Sequence, residues 1–232
     1  MLVDGATAVP MAPARDYKRL GDDDAGPNTG GMGAVSPAEG ADDVLVAEVM
    51  ARAIEPTLAE LARRGIEYRG VLYAGIMVTA EGPKVLEYNV RFGDPEAQVV
   101  LPRLADDPFD LLYAVATGGL VGPPRFTPDA AVTVVLAAEG YPADPRRGAR
   151  IRGLGLDGQL EDRRDGVVVF HAGTERDERG FTVAGGRVLA VTALAPTVAV
   201  ARARAYGAVA EITFDGMQVR HDIASPSIGA PT

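Results

Sequence analysis

Apolar residues recur at helical spacing between residues 42 and 64, in DDVLVAEVMARAIEPTLAELARR. The apolar stripe of this predicted helix consists of Val46, Val49, Ile54, Leu58 and Leu61. Acidic residues at Asp42 and Asp43 predict its start, and the sequence RRG at 63–65 predicts its end. Pro56 predicts a kink or a break into two helices, because proline cannot donate the interior hydrogen bond.

Two apolar runs flank AEGP and predict a hairpin with strands at about 71–79 and 84–91. Because both runs are apolar on both faces, we expect them at the centre of a sheet. In the second run, KVLEYNVRFGDPE, the residues Glu87, Asn89 and Arg91 alternate with Leu86, Tyr88 and Val90. Side chains two apart share a face of a strand, so the three polar groups are predicted to lie together.

The remaining elements follow from turn and capping signals. MLVDGATAVPMAP predicts a short hairpin around Asp4–Gly5, and Asp94 followed by Pro95 predicts the start of a helix. A further helix is predicted over 107–118. Residues 15–37 have almost no periodic apolar pattern, and a loop of this length is usually functional or disordered.

The sequence pattern changes after a stretch rich in proline and glycine at 119–128. We interpret this stretch as a domain junction. Short β runs dominate from about residue 130, and one helix, PTVAVARARAYGAVAEI, closes the chain. The predicted fold class is α/β (α+β), with a mixed, largely antiparallel sheet and packed helices. A smaller mixed β domain follows it.

Composition narrows the possible chemistry. The net charge is −9, from 23 Lys and Arg against 32 Asp and Glu, so there is no basic footprint for nucleic acid or for a membrane surface. The chain has no cysteine and two histidines, which excludes thiolate chemistry and a histidine-rich zinc site. With no signal peptide and no apolar run of about 18 residues, we expect a cytoplasmic protein.

Glu87 and Asn89 would present two hard oxygen ligands of the kind that Mg²⁺ prefers, and Arg91 could hold a carboxylate or a phosphoryl oxygen. A solvated face of an edge strand explains the same residues equally well. The glycine-rich stretch GPNTGGMG, residues 26–33, lets a backbone approach a ligand, although a flexible surface loop is the commoner explanation. The basic stretch RDYKR, residues 15–19, is usually a solvated surface. His171 is predicted to be a sheet histidine, and His221 is not predicted to be catalytic.

Three stretches together carry a family resemblance: RDYKRLGDDDAGPNTGGMGAVSP, GVLYAGIMVTAEGPKVLEYNVRFGDPEAQVVLPRL and AAVTVVLAAEGYP…FHAGT…GGRVLAVTAL. They resemble phosphoribosylamine–glycine ligases (glycinamide ribonucleotide synthetases), which are ATP-grasp enzymes of de novo purine biosynthesis. The resemblance implies that residues 1–122 are the C-terminal portion of an ATP-grasp domain and 123–232 the family's C-terminal domain. It also implies the ligation of glycine to 5-phosphoribosylamine through a glycyl phosphate, giving glycinamide ribonucleotide, ADP and phosphate.

The resemblance assigns roles to residues of this sequence. It implies Glu87 and Asn89 as ligands of Mg²⁺ or Mn²⁺ that bridges the phosphates of ATP, and Arg91 as the catalytic cation. The implied substrate-binding residues are Asp16, Lys18, Arg19, Asn28, Thr29, Gly30, Gly31, Met32, Gly33, Gly93, Asp94 and Glu96.

The chain starts at what resembles the middle of the family's ATP-grasp domain. The part that holds the nucleotide lid and most of the adenine pocket would precede it. One expectation is therefore a ligase. The alternatives are an inactive fragment, one piece of a split ligase that needs its N-terminal half as a partner, and a different carboxylate–amine ligase of the ATP-grasp type. A truncated chain predicts exposed apolar surface and association.

Overall fold

A computed structural model describes residues 1–226. The strands are β1 (Leu2–Asp4), β2 (Ala8–Val9), β3 (Arg15–Asp16), β4 (Arg19–Gly21), β5 (Ala25–Asn28), β6 (Gly33–Ser36), β7 (Arg69–Val71), β8 (Tyr73–Thr79), β9 (Gly82–Asn89), β10 (Ala130–Ala137), β11 (Val167–His171), β12 (Thr174–Asp177), β13 (Gly180–Val183) and β14 (Arg187–Ala195). The helices are α1 (Asp43–Val49), α2 (Glu55–Arg63), α3 (Ala97–Val100), α4 (Pro108–Thr117) and α5 (Val198–Val209). Within residues 1–226, none of the helices is long and apolar enough to cross a membrane.

The chain forms two compact units, and each is built from several segments. Unit 1 comprises Met1–Pro13, Pro37–Gly93 and Leu104–Thr127, and unit 2 comprises Ala14–Ser36, Asp94–Arg103 and, among the described residues, 128–226. The predicted boundary between residues 122 and 123 divides the sequence into two continuous domains, whereas each unit combines separate segments. The boundary stays a prediction.

Unit 1 contains a three-stranded antiparallel sheet in the order β2–β1–β7. The predicted N-terminal hairpin is confirmed. The carboxylate of Asp4 closes its turn by accepting hydrogen bonds from the N–H groups of Ala6 and Thr7 at 3.1 and 2.7 Å. Gly5 has φ of +96°, a conformation that favours glycine.

The helical segment of unit 1 has the predicted start and the predicted interruption. Asp42 is the N-cap of α1 and accepts a hydrogen bond from the N–H of Leu45 at 2.9 Å. A π-helical turn, Met50–Ile54, separates α1 from α2 just before Pro56. Val49 and Ile54 are buried in a cluster with Val3 of the sheet.

The position predicted for the β8–β9 hairpin, at the centre of a sheet, is wrong. Among the described residues these two strands pair only with each other, and β9 ends at Asn89, before Arg91. One face packs on the helical segment, where the Tyr88 hydroxyl donates to the Ala53 carbonyl at 3.0 Å. Apolar residues away from that contact stay exposed, with Met77 at 51% and Leu86 at 61%. Both faces of this hairpin carry apolar residues, but the described part of unit 1 covers only one of the two faces.

Unit 2 is built on a five-stranded antiparallel sheet in the order β11–β14–β10–β6–β3. Every residue of β10 is buried. Helix α5 lies against β10 and β14 with Ala201, Ala205 and Ala208 fully buried, since small side chains allow close approach to the sheet. The predicted mixed α and β class with largely antiparallel pairing is confirmed.

Residues 15–37 are not the irregular loop that their lack of periodicity predicted. They form β3, the β4–β5 hairpin and β6, and β6 lies between β10 and β3. Strands of two to four residues are too short to show an alternating pattern, so the sequence carries little signal for them.

The helix predicted to begin at Asp94 starts later. Helix α3 begins at Ala97 with Glu96 at its N-cap position, because residues 94–96 form a turn in which the Asp94 side chain bonds elsewhere. The prediction for α4 is confirmed. Asp107 caps it by accepting from the N–H of Phe109 at 2.7 Å, and Gly118 ends it at φ +81°.

Candidate active-site residues

The pair Glu87 and Asn89 lies on one face of the β8–β9 hairpin in unit 1. Tyr88 between them points to the helical segment, so its two neighbours point to the opposite, open face. Across the ladder, Glu87 faces Gly75 and Asn89 faces Tyr73. A Cβ at position 75 would lie 3.1 Å from Glu87 Cγ, so the glycine leaves room for the carboxylate.

Arg91 follows the strand and is held locally. Its Nη1 donates to the carbonyl of Phe92 at 2.7 Å, and its Nη2 lies 3.5 Å from Asn89 Oδ1, a long and weak contact. Arg91 therefore lies close to Glu87 and Asn89. Strand β9 ends at Asn89, however, so Arg91 is not part of the same strand.

The donor set of the pair fits a hard divalent cation. Carboxylate and amide oxygens are ligands that Mg²⁺ takes, and this ion usually keeps other positions for water and phosphate oxygens. Residues 1–226 contain no cluster of three or more His, Cys, Asp or Glu side chains of the kind that closes a metal site. The side-chain oxygens of Glu87 and Asn89 can provide two ligands, which is part of a coordination shell. The metal role of Glu87 and Asn89 stays a prediction.

The glycine-rich stretch of unit 2 uses its backbone N–H groups internally. The N–H of Thr29 donates to the carbonyl of Lys18 at 2.7 Å, and the N–H of Met32 donates to the carbonyl of Tyr17 at 2.8 Å. The N–H of Gly31 donates to the Thr29 hydroxyl at 2.9 Å. These N–H groups are not available as an anion-binding nest.

The N–H of Gly30 is also taken, by the hydroxyl of Tyr141 at 2.9 Å. Close packing requires a glycine at the next position, 31. Gly31 has φ of +116°, and a Cβ there would lie 2.4 Å from Pro95 Cδ and 2.7 Å from Asp16 Oδ1. This glycine therefore serves a close approach between segments of unit 2.

The side chain of Asp16 is 8% exposed and forms an ion pair with Lys18, whose Nζ lies 2.7 Å from Oδ2. Asp16 Oδ1 has no hydrogen-bond partner among the described residues. Burial raises the pKa of Asp16 to about 6, against the lowering effect of Lys18, and the charge of Glu96 raises it further. Arg19 is exposed, and its Nη1 donates to the carbonyl of Gly26 at 2.7 Å.

Asp94 is held from two directions in unit 2. Its Oδ1 accepts from Gln98 Nε2 at 3.1 Å, and its Oδ2 accepts from Arg187 Nη2 at 2.9 Å. Glu96 is 7% exposed. Gly93 belongs to unit 1, with Glu87, Asn89 and Arg91, whereas the other predicted substrate-binding residues belong to unit 2.

His171 lies in strand β11, as predicted for a sheet histidine. His171 is an ordinary sheet residue whose ring nitrogens lie 2.9 Å from the Thr174 hydroxyl and 2.8 Å from the Gly158 carbonyl. His221 is exposed and lies 3.4 Å from a carboxylate oxygen of Asp22.

Two family models match the chain in order. The ATP-grasp (A) domain of phosphoribosylglycinamide synthetase matches residues 1–97, and the C domain of the same synthetase matches residues 131–226. The chain belongs to the phosphoribosylglycinamide synthetase family. The A-domain match contains every predicted site residue.

Curated relatives agree with this assignment. The phosphoribosylamine–glycine ligase of Leifsonia xyli subsp. xyli is 49% identical over 229 residues, covering 97% of this chain and 54% of the relative. That of Streptomyces coelicolor is 48% identical over 231 residues, covering 99% of this chain and 55% of the relative. The chain therefore spans about half the length of these synthetase relatives.

Solved structures support the fold. The phosphoribosylamine–glycine ligase of Thermotoga maritima has a TM-score of 0.84 at 35% identity, over 96% of this chain and 54% of that one. The biotin carboxylase domain of a 2-oxoglutarate carboxylase from Hydrogenobacter thermophilus has a TM-score of 0.55 at 17% identity, over 82% of this chain and 40% of that one. The second likeness supports the fold alone.

Sequence reasoning missed two residues that hold the predicted substrate segments of this synthetase chain. Arg187 and Tyr141 contact the glycine-rich stretch, and both lie in the C-domain match rather than the A-domain match. A single arginine ahead of an apolar run and a tyrosine in a Gly–Tyr–Pro turn carry no local signal for this role.

Proposed function

We propose that the chain takes part in the ATP-dependent ligation of glycine to 5-phosphoribosylamine, in de novo purine biosynthesis. The observation that carries the proposal is the Glu87–Asn89 pair on the open face of a hairpin, within a chain of the phosphoribosylglycinamide synthetase family. A cytoplasmic location belongs to the same proposal, and the absence of cysteine throughout the sequence is consistent with it.

In this proposal Glu87 and Asn89 hold a divalent cation, Mg²⁺ or Mn²⁺, through their side-chain oxygens. When bound, such an ion neutralises charge on the phosphates of ATP. Arg91 lies beside the pair and keeps guanidinium N–H groups beyond those that it gives to Phe92 and Asn89. These groups stabilise charge on the transferred phosphoryl group or orient the carboxylate of glycine.

The proposed reaction has two steps. An oxygen of the glycine carboxylate attacks the γ-phosphorus of ATP, the bond to the bridging oxygen breaks, and ADP leaves with the electron pair. The amine of 5-phosphoribosylamine then attacks the carbonyl carbon of the glycyl phosphate. The C–N bond forms, the C–O bond to phosphate breaks, and the amine gives up a proton, leaving glycinamide ribonucleotide and phosphate.

We assign the binding of the two small substrates to the segments of unit 2 and to Gly93. These are Asp16, Lys18, Arg19, the stretch from Asn28 to Gly33, Asp94 and Glu96. Their hydrogen bonds support a positioning role for several of them, since the Gly30, Gly31 and Met32 N–H groups and the Asp94 carboxylate are already engaged within the unit. Lys18 and Arg19 have exposed side chains that can meet an anionic substrate.

A second candidate is one piece of a split ligase, or an inactive fragment. The chain accounts for 54% of the length of the Leifsonia xyli enzyme, so the activity of a whole ligase is proposed for the chain together with the remaining part. Phosphoryl transfer depends on positioning and on the exclusion of water. We therefore expect the proposed site to need residues from the part of the relatives that this chain does not cover, on the same polypeptide or on a partner.

The test measures ADP release by the purified chain with ATP, Mg²⁺, glycine and freshly generated 5-phosphoribosylamine. Glu87→Ala removes the proposed carboxylate ligand. Glu81→Ala is the matched control, because Glu81 is an exposed carboxylate at the turn of the same hairpin. A parallel reaction adds the polypeptide corresponding to the remaining part of the relatives.

We expect glycine-dependent ADP release that Glu87→Ala abolishes and Glu81→Ala preserves. Turnover only after addition of the second polypeptide would support the split ligase. Equal turnover in Glu87→Ala and in the unaltered chain would refute the metal role of the pair. No turnover in either reaction would leave the inactive fragment.

A further inference from the structure

We propose that Arg187 binds an oxyanion, a carboxylate or a phosphate, through the edge of its guanidinium that carries Nε and Nη2. The proposal deepens the function proposed above and rests on it for the source of the anion. Both small substrates carry an oxyanion group, since glycine is a zwitterion with a carboxylate and 5-phosphoribosylamine has a phosphate. Sequence reasoning assigned no role to Arg187.

The hydrogen bonds of Arg187 leave that edge unused. Its Nη1 donates to the carbonyl oxygens of Gly30 and Asp94 at 2.9 and 2.8 Å, and its Nη2 donates to Asp94 Oδ2 at 2.9 Å. A guanidinium has five N–H donors. In the part of the chain that the structure describes, the Nε–H and one Nη2–H of Arg187 therefore have no partner.

The position of Asp94 identifies which donors remain. Its carbonyl and its carboxylate meet Nη1 and Nη2, so it occupies the edge between these two nitrogens. The remaining donors lie on the edge formed by Nε and Nη2. Two parallel N–H groups of a guanidinium edge match the two oxygens of a carboxylate or a phosphate.

The Arg187 side chain is partly exposed, and its guanidinium is preorganised. The side chain of Arg187 is 21% exposed, and its three hydrogen bonds fix the guanidinium. Gly30 packs against the flat face of the guanidinium, because a Cβ there would lie 3.0 Å from Cζ, 3.1 Å from Nη2 and 3.2 Å from Nε. A donor pair that needs no ordering loses less entropy when it binds its ligand.

The neighbouring backbone gives the oxyanion no alternative donors. The N–H groups of residues 29 to 32 are all used within unit 2. Asp94 partly neutralises Arg187, so we expect modest affinity that falls as salt is added.

The test titrates the chain with two anions and follows the Nε–H signal of Arg187 in ¹H–¹⁵N spectra. Ribose 5-phosphate is compared with ribose, and glycine is compared with glycinamide, so each pair differs by the oxyanion. Arg187→Gln removes the edge. Gly30→Ala keeps Arg187 but places a methyl group 3.0 Å from Cζ, so the guanidinium must shift from the position in which its hydrogen bonds fix it. Arg150→Gln is the control, because Arg150 forms a bidentate pair with Asp177 elsewhere in the same unit.

We expect one anion to shift the Nε–H signal, and both Arg187→Gln and Gly30→Ala to weaken its binding by at least about tenfold, or ~1.4 kcal/mol. Arg150→Gln should bind as the unaltered chain does. Response to ribose 5-phosphate identifies the phosphate, and response to glycine identifies the carboxylate. Where Arg187→Gln fails to fold, Gly30→Ala decides.

Two results would overturn the proposal: neither anion binds, or both variants bind as tightly as the unaltered chain. Failure of the proposed function looks different. In that case ADP release is absent with and without the second polypeptide, while oxyanion binding and its loss in the two variants persist.

Discussion

Replacing Asp16 by asparagine should stabilise the protein near neutral pH and much less in acid. The carboxyl has its pKa raised from 3.8 to about 6, chiefly by burial. The folded state therefore binds more protons than the unfolded state between these two values. Stability falls as pH rises through this range, and the full cost of the buried charge is present above about pH 6.

The size of the effect follows from the two pKa values. A difference of about two pKa units corresponds to ~3 kcal/mol at about pH 7.5, and the cost falls to ~1 kcal/mol near pH 4.5. Asparagine keeps the shape and removes the charge. The pKa of about 6 already includes the lowering effect of Lys18, so the loss of this ion pair needs no separate correction. Glu96, the other charged group acting on Asp16, is unchanged.

The assay is urea unfolding followed by far-UV circular dichroism, at several pH values between about 4.5 and 7.5. The quantity of interest is the difference in unfolding free energy between Asp16→Asn and the unaltered protein. We expect it to grow by ~2 kcal/mol from the acid to the neutral end. A packing change caused by asparagine adds a constant offset and cancels in this comparison.

Asp177→Asn is the matched control of opposite sign. Arg150 lowers the pKa of Asp177 to about 2, so this carboxylate contributes stability above its unfolded pKa of 3.8 that is lost as pH falls through about 2. Its replacement should therefore not become more favourable as pH rises. A difference for Asp16→Asn that is the same at all pH values would refute the assignment of a charged, buried Asp16.

Three further predictions concern packing, a buried cation and the exposed hairpin. Gly33→Ala should cost ~1–3 kcal/mol in thermal unfolding, because its Cβ would lie 2.7 Å from the carbonyl of Thr133. Gly122→Ala, with nothing within 4 Å, should leave stability almost unchanged. Arg220→Ala should cost ~3–5 kcal/mol in urea unfolding, since a cation that is 1% exposed would be lost from its carboxylates. Leu86→Glu should reduce concentration-dependent association in sedimentation, and an unaltered chain that stays monomeric and melts cooperatively would contradict that expectation.

Local signals predicted the elements whose causes are local. Asp42 caps α1 as the sequence indicates, and the helical segment is interrupted before Pro56. The N-terminal turn and the cap at Asp107 follow from residues within three positions of each other. Such features need no information from the rest of the chain.

Elements with non-local causes were predicted poorly. The β8–β9 hairpin has the composition of a central strand pair, but a sheet position depends on which strands lie alongside it. Strands β3 to β6 gain their order from pairing with each other and with β10, about 100 residues away in sequence. The Asp94 carboxylate meets Arg187 instead of capping a helix, and no local pattern predicts that choice.

The candidate site divides in the same way. Glu87 and Asn89 were predicted to share a face from strand alternation, and the register of the hairpin confirms this arrangement. Arg187 was missed, because its relation to Gly30 and Asp94 arises only when β14 joins the sheet of unit 2. The metal and substrate roles of all these residues stay predictions.

The glycines of GPNTGGMG have different structural roles, so substitutions at these positions should have different effects. Gly31 and Gly33 are required by close approach to Pro95 and to Thr133, so a methyl group at either position should lower stability. Gly30 packs on the guanidinium face of Arg187, so a methyl group there should shift the guanidinium and weaken oxyanion binding, with a smaller effect on folding than at Gly31 or Gly33. Because the N–H groups of this stretch are already bonded, its glycines shape a surface on which a side-chain cation, rather than the backbone, meets the ligand.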